Sequence, residues 1–260
     1  MRLAQILFSQ GFGTRRDCAG LILAGRVRVG GDDVDDPDAE FATEGLVVEV
    51  DGRAWPYHAP AIVLLHKPAG HECSTKPRHH PSVLSLLPAP LRTRGVQPVG
   101  RLDEDTTGLL LLTDDGALIH RWTSPKRHLP KVYEVTTKHA VDDALVARLR
   151  EGVVLDDEPA LVRASACEAT GANTLRLTLT EGKYHQVKRM VAAAGNRVEA
   201  LHRSAFGVLT LPVDLAPGQW RWVDGAAAVE GPPAVSPTAP APLAPRSPGR
   251  PSRPPSTPSR

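Results

Sequence analysis

The sequence predicts an α+β protein built on a mostly antiparallel sheet. Three observations carry that reading. Strand-like and helix-like segments do not alternate strictly, which disfavours a doubly wound fold. Four consecutive leucines, 109–112, follow an acidic, glycine-bracketed turn and ask for a strand buried on both faces. Residues 1–52 read as a small module of their own, ahead of a larger domain.

The elements follow in order. Leu3, Ile6 and Leu7 form a helical stripe that ends near Gly11. Thr14 caps a second helix that runs through Leu23, with Asp17 three residues on and Gly25 after its end. Residues 26–29 alternate like a strand and stop at Gly30-Gly31, and 46–50 read as another. Residues 53–60, with Pro56 and Pro60, are expected to be a linker. The large domain, 61–230, opens with the apolar strand 62–65. Further strands are predicted at 109–113, 132–137, 161–168, 174–180 and 197–204, and helices at 115–122, 141–150 and 184–194. From 231 to 260, 11 of 30 residues are proline, so a disordered tail is expected there.

Composition narrows the function classes. The 260 residues are 41% hydrophobic but only 4% aromatic, so the core rests on Leu, Val and Ala. Net charge is +2, unevenly spread: residues 1–30 hold five Arg against one Asp, and 31–54 hold nine acids against one Arg. A basic face on a near-neutral protein suggests a polyanion partner. Cys18, Cys73 and Cys167 are odd in number and far apart, which fits reduced thiols rather than a disulfide framework. No apolar run approaches the ~20 residues of a membrane span, and Gln5, Ser9 and Gln10 interrupt the N-terminal stretch, so a cytoplasmic protein is expected.

The loop before the leucines, Arg101-Leu102-Asp103-Glu104-Asp105, speaks most directly about chemistry. Three readings compete on local pattern. Asp103, Asp105, Thr107, Gly108 and Asp114 fall at calcium-loop positions, but residues 94–100, with Gly95, Pro98 and Gly100, cannot supply the helix an EF-hand needs. A rigid strand could instead fix one catalytic carboxylate in a cleft. The third reading is a solvated turn closed by an Arg101–Asp105 pair. His66, His71, Cys73, His79 and His80 match no zinc spacing, so no metal is expected.

Two further segments matter. In Glu181-Gly182-Lys183-Tyr184-His185-Gln186-Val187-Lys188-Arg189-Met190, helical periodicity puts Val187 and Met190 on the core. Lys188 and Tyr184 then share one edge, while His185 and Arg189 lie on the exposed side. In Lys131-Val132-Tyr133-Glu134-Val135, Tyr133 shares a strand face with Lys131 and Val135.

Taken together, these segments make residues 1–224 resemble the bacterial pseudouridine synthases that modify ribosomal RNA, in the branch with an N-terminal S4-type RNA-binding domain. Gly100-Arg101-Leu102-Asp103 with Thr107-Gly108-Leu109-Leu110 is similar to the family's catalytic motif, and the segments at 131–135 and 181–190 to its tyrosine motif and its third motif. Relatives often carry Arg where this chain has Lys188, which exchanges a fork for a point charge. Cys73-Ser74-Thr75, residues 120–125 and residues 214–218 look most like the enzymes acting on uridine 516 of 16S rRNA. The sister enzymes of 23S rRNA share every catalytic motif, and a non-catalytic S4-type assembly factor is the alternative of another class.

The resemblance implies an isomerase needing no cofactor, acting as a monomer on 16S rRNA away from membranes. Asp103 would be the single catalytic carboxylate. Lys188 would keep it ionised and aimed. Tyr133 would stack on the flipped uracil, and Arg101 would help hold it flipped out. Arg15, Arg16, Arg26 and Arg28 would meet phosphates from the S4-type module, and Lys183, His185 and Arg189 would meet them beside the cleft. The basic loops at 76–80 and 125–128 are where target recognition is expected.

Overall fold

In the computed structural model, residues 1–231 are described. The tail expected from 231 onward lies, apart from Gly231, outside them. The chain runs α1 (Leu3–Ser9), α2 (Arg15–Leu23), β1 (Val27–Val29), β2 (Asp32–Asp33), β3 (Val47–Val50), β4 (Arg53–Pro56), β5 (Ile62–Lys67), α3 (Ala89–Thr93), β6 (Gln97–Pro98), β7 (Thr107–Thr113), α4 (Gly116–Thr123), β8 (Lys131–Thr137), α5 (Asp143–Glu151), β9 (Ala166–Gly171), β10 (Thr174–Leu179), α6 (Gln186–Ala193), β11 (Val198–Phe206), β12 (Leu209–Thr210), β13 (Trp220–Trp222) and α7 (Ala227–Glu230).

The N-terminal unit packs α1 and α2 against an antiparallel sheet of order β2-β1-β3-β4. Leu3, Ile6, Leu7, Cys18 and Ile22 are buried between them. Thr14 and Asp17 close the capping box the sequence implied. The expected linker is corrected at its start. Residues 53–56 are a strand, β4, that pairs with β3 in register, Trp55 opposite Val48. Trp55 is buried, edge-on to Phe12 and Trp222, so the aromatic ring outweighs the strand-ending Pro56.

The larger sheet has the order β13-β5-β7-β11-β8-β10-β9. Among the described residues β7 and β11 pair parallel, and its other ladders are antiparallel. The leucine run works as the pattern asked. Leu110 and Leu112 join one core cluster with Val63 and Leu65. Leu109 and Leu111 join the other, under Trp122 of α4, with Ile62 and Leu64. The strand expected at 161–168 starts later, at Ala166; Val162 makes only an isolated bridge to Val153.

Arg94 fastens the two units. Its guanidinium, almost fully buried, donates to Gln10 Oε1 (2.8 Å), His58 O (2.9 Å) and Asp114 Oδ2 (2.8 Å). Gly11, at φ +88°, sits where a Cβ would fall 2.1 Å from Pro90 O. Backbone meets backbone at this seam, and only glycine allows it.

Candidate active site

The end of β5 and the start of β7 hold the acidic loop from below. Lys67 is fully buried, and its ammonium donates to Pro68 O (3.1 Å), Glu104 O (2.9 Å) and Thr106 O (2.7 Å). Burial pulls its pKa down, while the nearby acids oppose that. Leu102 is buried beneath the loop, and its N–H faces Cys73 Sγ at 3.5 Å. The Asp103 carbonyl closes the turn by accepting from Thr106 N at 3.2 Å. A buried cation and a buried leucine therefore fix the backbone on both sides of Asp103.

The Asp103 carboxylate meets two groups from one short segment. Its Oδ2 lies 3.3 Å from Lys188 Nζ, and its Oδ1 lies 3.2 Å from His185 Nε2. Lys188 also contacts both oxygens of Asp105, at 2.7 and 2.8 Å. Burial works against the Lys188 ammonium, but the Asp105 hydrogen bond and the charges of both acids outweigh it and raise its pKa. Lys188 is charged across any working pH. The Arg101–Asp105 pair of the solvated-turn reading does not form, because Lys188 takes Asp105 instead.

Asp103, His185 and Lys188 line a cleft of about 350 Å³. Tyr133, buried on β8, lines it as well, as do Arg101, Lys131 and Arg203. The ladder pairs Tyr133 with Arg203 and Lys131 with Phe206. Gly108 lets the Arg203 backbone approach β7 closely. Asp103, Lys188, Tyr133 and Arg101 are thus brought to one cleft.

The expected phosphate contacts fare unevenly. His185 points at Asp103 rather than outward. It adopts a left-handed backbone, φ +45°, just before α6, so the helical wheel does not extend to it. Arg189 is bound by Asp157, and Lys183 by Glu158 at 2.7 Å and Glu181 at 3.6 Å. Arg26 is paired with Asp51 at 2.6 Å, and Arg28 with Asp33 at 3.2 Å and Glu49 at 3.7 Å. Arg15 and Arg16 are exposed, and among the described residues neither has an acidic partner. Sequence reasoning missed Lys67, Arg203 and Lys131 as parts of the site. Arg203 carried a signal: it alternates with Leu201 and Ala205, an inward parity where an apolar side chain is expected.

The histidine-rich loop is held by a carboxylate. No group of three metal-capable side chains occurs among the described residues. Glu72 organises the loop by accepting from the N–H groups of Arg78 (3.1 Å), His79 (2.8 Å) and His80 (3.0 Å), which hold its pKa down to about 2.

Comparison with known proteins agrees with this geometry. Residues 61–193 match the RNA pseudouridylate synthase model, and residues 1–42 match the S4 domain model. Proteins named ribosomal small subunit pseudouridine synthase A are similar over most of the chain. That of Salmonella typhimurium is 42% identical over 222 residues, covering 85% of this chain and 95% of its own. That of Escherichia coli K12 is 41% identical over the same length and the same shares. That of Vibrio cholerae is 38% identical over 224 residues, 86% of this chain and 96% of its own. A crystal structure described as a pseudouridylate synthase superposes with a TM-score of 0.61 at 33% identity, covering 86% of this chain and 96% of that one. Strand register, the carboxylate cleft and both sequence matches lead to one conclusion: this chain belongs to the RNA pseudouridylate synthase family and carries an S4 domain at its N-terminus.

Proposed function

We propose that this enzyme converts one uridine of small-subunit ribosomal RNA, uridine 516 of 16S rRNA, to pseudouridine, with Asp103 as its catalytic carboxylate. The observation that carries the reading is the Asp103 carboxylate, 3.3 Å from Lys188 and 3.2 Å from His185, on the cleft that Tyr133 also lines. The names of the relatives from Salmonella, Escherichia coli and Vibrio support the small-subunit target.

The chemistry follows from the residues. The C1′–N1 bond breaks, the uracil turns, and C5 joins C1′. The sugar passes through oxocarbenium character, which a carboxylate at C1′ or C2′ answers. One carboxylate suffices, because the departing base is also the returning nucleophile. Lys188 aims the Asp103 carboxylate, and Asp105 keeps Lys188 in place. Tyr133 stacks on the flipped base, and Arg101 holds the flipped-out nucleotide. Atoms and electrons balance within the substrate, so the reaction calls for no cofactor. The enzyme acts as a monomer in the cytoplasm on folded 16S rRNA or an assembly intermediate. The loop at 76–80, ordered by Glu72, and residues 125–128 after α4 supply the address.

The test supplies the enzyme with unmodified 16S and 23S transcripts separately, with and without assembly proteins, and maps pseudouridine. Modification of one 16S site by the wild type, lost on the order of 10⁴-fold or more in Asp103→Asn with RNA binding retained, is the expected result. Modification confined to 23S overturns the target. An active Asp103→Asn enzyme overturns the site.

A further inference from the structure

Two buried cations line the cleft, neither within ion-pair distance of a carboxylate among the described residues. Arg203 is 2% exposed and Lys131 8% exposed. Neither forms an ion pair among the described residues. Arg203 Nε donates to Leu109 O at 2.8 Å, but its Nη2 is buried without a hydrogen-bond partner. Lys131 Nζ donates to Leu129 O at 3.1 Å. Both cations lie against one ring: Lys131 Nζ is 5.2 Å and the Arg203 guanidinium 5.4 Å from the Phe206 centroid. A buried, unsatisfied guanidinium is costly in the empty protein, and a second uncompensated cation beside it adds repulsion. Such a pair is stabilised when an anion or a strongly polarised oxygen enters.

The reaction generates that charge. As the C1′–N1 bond breaks, its electron pair leaves with N1. The uracil departs as an anion whose charge spreads from N1 onto the carbonyl oxygens. When C5 bonds to C1′, the pair comes from the ring, the C5 proton is released, and N1 regains a proton. We propose that Lys131 and Arg203 take up the negative charge on a carbonyl oxygen of the departing uracil, with Phe206 as the apolar backing that keeps water away. The inference rests on the Asp103 reading above. It assigns the opposite end of the bond: Asp103 answers the sugar's positive charge, and Lys131 with Arg203 answer the base's negative charge. Donors fixed before the reaction are worth most in such a dry site.

Lys131 also offers a titration. Burial, and then the Arg203 charge, pull its pKa down to about 8, while Glu181 opposes them. Tyr133 faces it from its own strand, Arg203 and Phe206 from β11, and Glu181 from the segment before α6. The other charged or titratable groups of the cleft are Arg101, Asp103, Lys183, Tyr184, His185 and Lys188. The ammonium is present below about pH 8 and lost above it, so the chemical step should slow on the alkaline side.

The experiment measures single-turnover rate, RNA affinity with its salt dependence, and thermal melting for full-length Lys131→Met, Lys131→Arg and Arg203→Lys. Lys131→Met should lower the rate on the order of 10²-fold with affinity and salt slope unchanged. Lys131→Arg should recover most of the rate and move the alkaline fall to higher pH. Arg203 also ties β11 to β7, so its variant is read against its melt, and the Lys131 pair keeps the test decisive. A folded Lys131→Met with wild-type rate overturns the proposal, as does an alkaline fall unmoved in Lys131→Arg. Loss confined to affinity and salt slope would make the ligand an RNA phosphate, which also overturns it. Asp103→Asn is run alongside: activity there defeats the site itself, whereas an inactive Asp103→Asn beside a fully active Lys131→Met defeats only this inference.

Discussion

Lys188 Nζ lies 2.7 and 2.8 Å from the two carboxylate oxygens of Asp105, nearer than the 3.3 Å that separates it from Asp103. Lys188 is therefore shared between two acids, and its firmer anchor is Asp105 rather than Asp103, the proposed catalytic residue. Lys188→Met should remove the cation that holds the Asp103 carboxylate and slow the chemical step on the order of 10²-fold. Asp105→Asn leaves Lys188 Asp103 as its only carboxylate partner, so its rate should stay within about tenfold of wild type. The asymmetry between the two variants in single-turnover assays is the check. A wild-type rate in Lys188→Met would hand the role to His185, the other group beside Asp103.

Lys67 tests how the loop is held. Two of its three hydrogen bonds end on carbonyls of the acidic loop, Glu104 and Thr106, and the third on Pro68, with the side chain fully buried. Lys67→Met nearly keeps the length of the side chain but takes the ammonium from Thr106 O and leaves Glu104 O with only the Gly70 N–H. The expected loss is about 2–4 kcal/mol, read as a lower denaturant midpoint, together with slower turnover by the folded fraction. A midpoint equal to wild type would mean that the loop does not depend on this ammonium.

The sequence made some of this site legible and hid the rest, for reasons tied to particular residues. Asp103 and Tyr133 are legible through the motifs at 100–110 and 131–135, whereas local pattern alone fits a solvated turn and an ordinary core tyrosine at least as well. His185 was placed on the wrong side because the wheel was drawn from residue 184, whereas the helix starts at Gln186 and His185 turns left-handed before it. Arg26 and Arg28 looked like free cations because the ladder that sets Arg28 opposite Asp33 and Glu49 exists only once strands pair. Lys67 ended an apolar strand and gave no hint of three acceptors brought from 37 and 39 residues away and from its own neighbour. Local periodicity reports faces, not partners.

RNA docking should accordingly rest on Arg15 and Arg16 more than on Arg26 and Arg28. The first pair is exposed at the start of α2, where the helix N-terminus adds its own positive end. The second pair is already engaged by Asp51, Asp33 and Glu49. Arg15→Ala with Arg16→Ala should flatten the log–log salt dependence of RNA binding by about 1.5–2 units. Arg26→Ala with Arg28→Ala should flatten it less and lower thermal stability instead. Equal slopes for the two double variants would show that the acids give up their arginines to RNA.

Gly108 decides whether the cleft can exist at all. Its φ is +107°, and a Cβ there would fall 2.3 Å from Arg203 O and 2.7 Å from Arg203 N. Both contacts are backbone, at the parallel ladder where His202 meets Thr107 and Arg203 meets Gly108. Neither strand can yield without shifting Arg203 from Leu109 O on one side and Tyr133 on the other. Gly108→Ala should therefore destabilise the protein by about 3 kcal/mol or more, from strain at positive φ and from overpacking together. Any folded remainder should bind RNA through its N-terminal unit yet turn over slowly, because β11 carries Arg203 and Phe206 to the cleft. Gly116→Ala is the control. Gly116 opens α4 with nothing within 4 Å of an added Cβ, so alanine there should leave stability unchanged or raise it by up to about 1 kcal/mol. Equilibrium unfolding of the two variants separates the explanations. If both behave alike, the tolerance of the sheet is general, and the close approach at Arg203 does not set the geometry of the site.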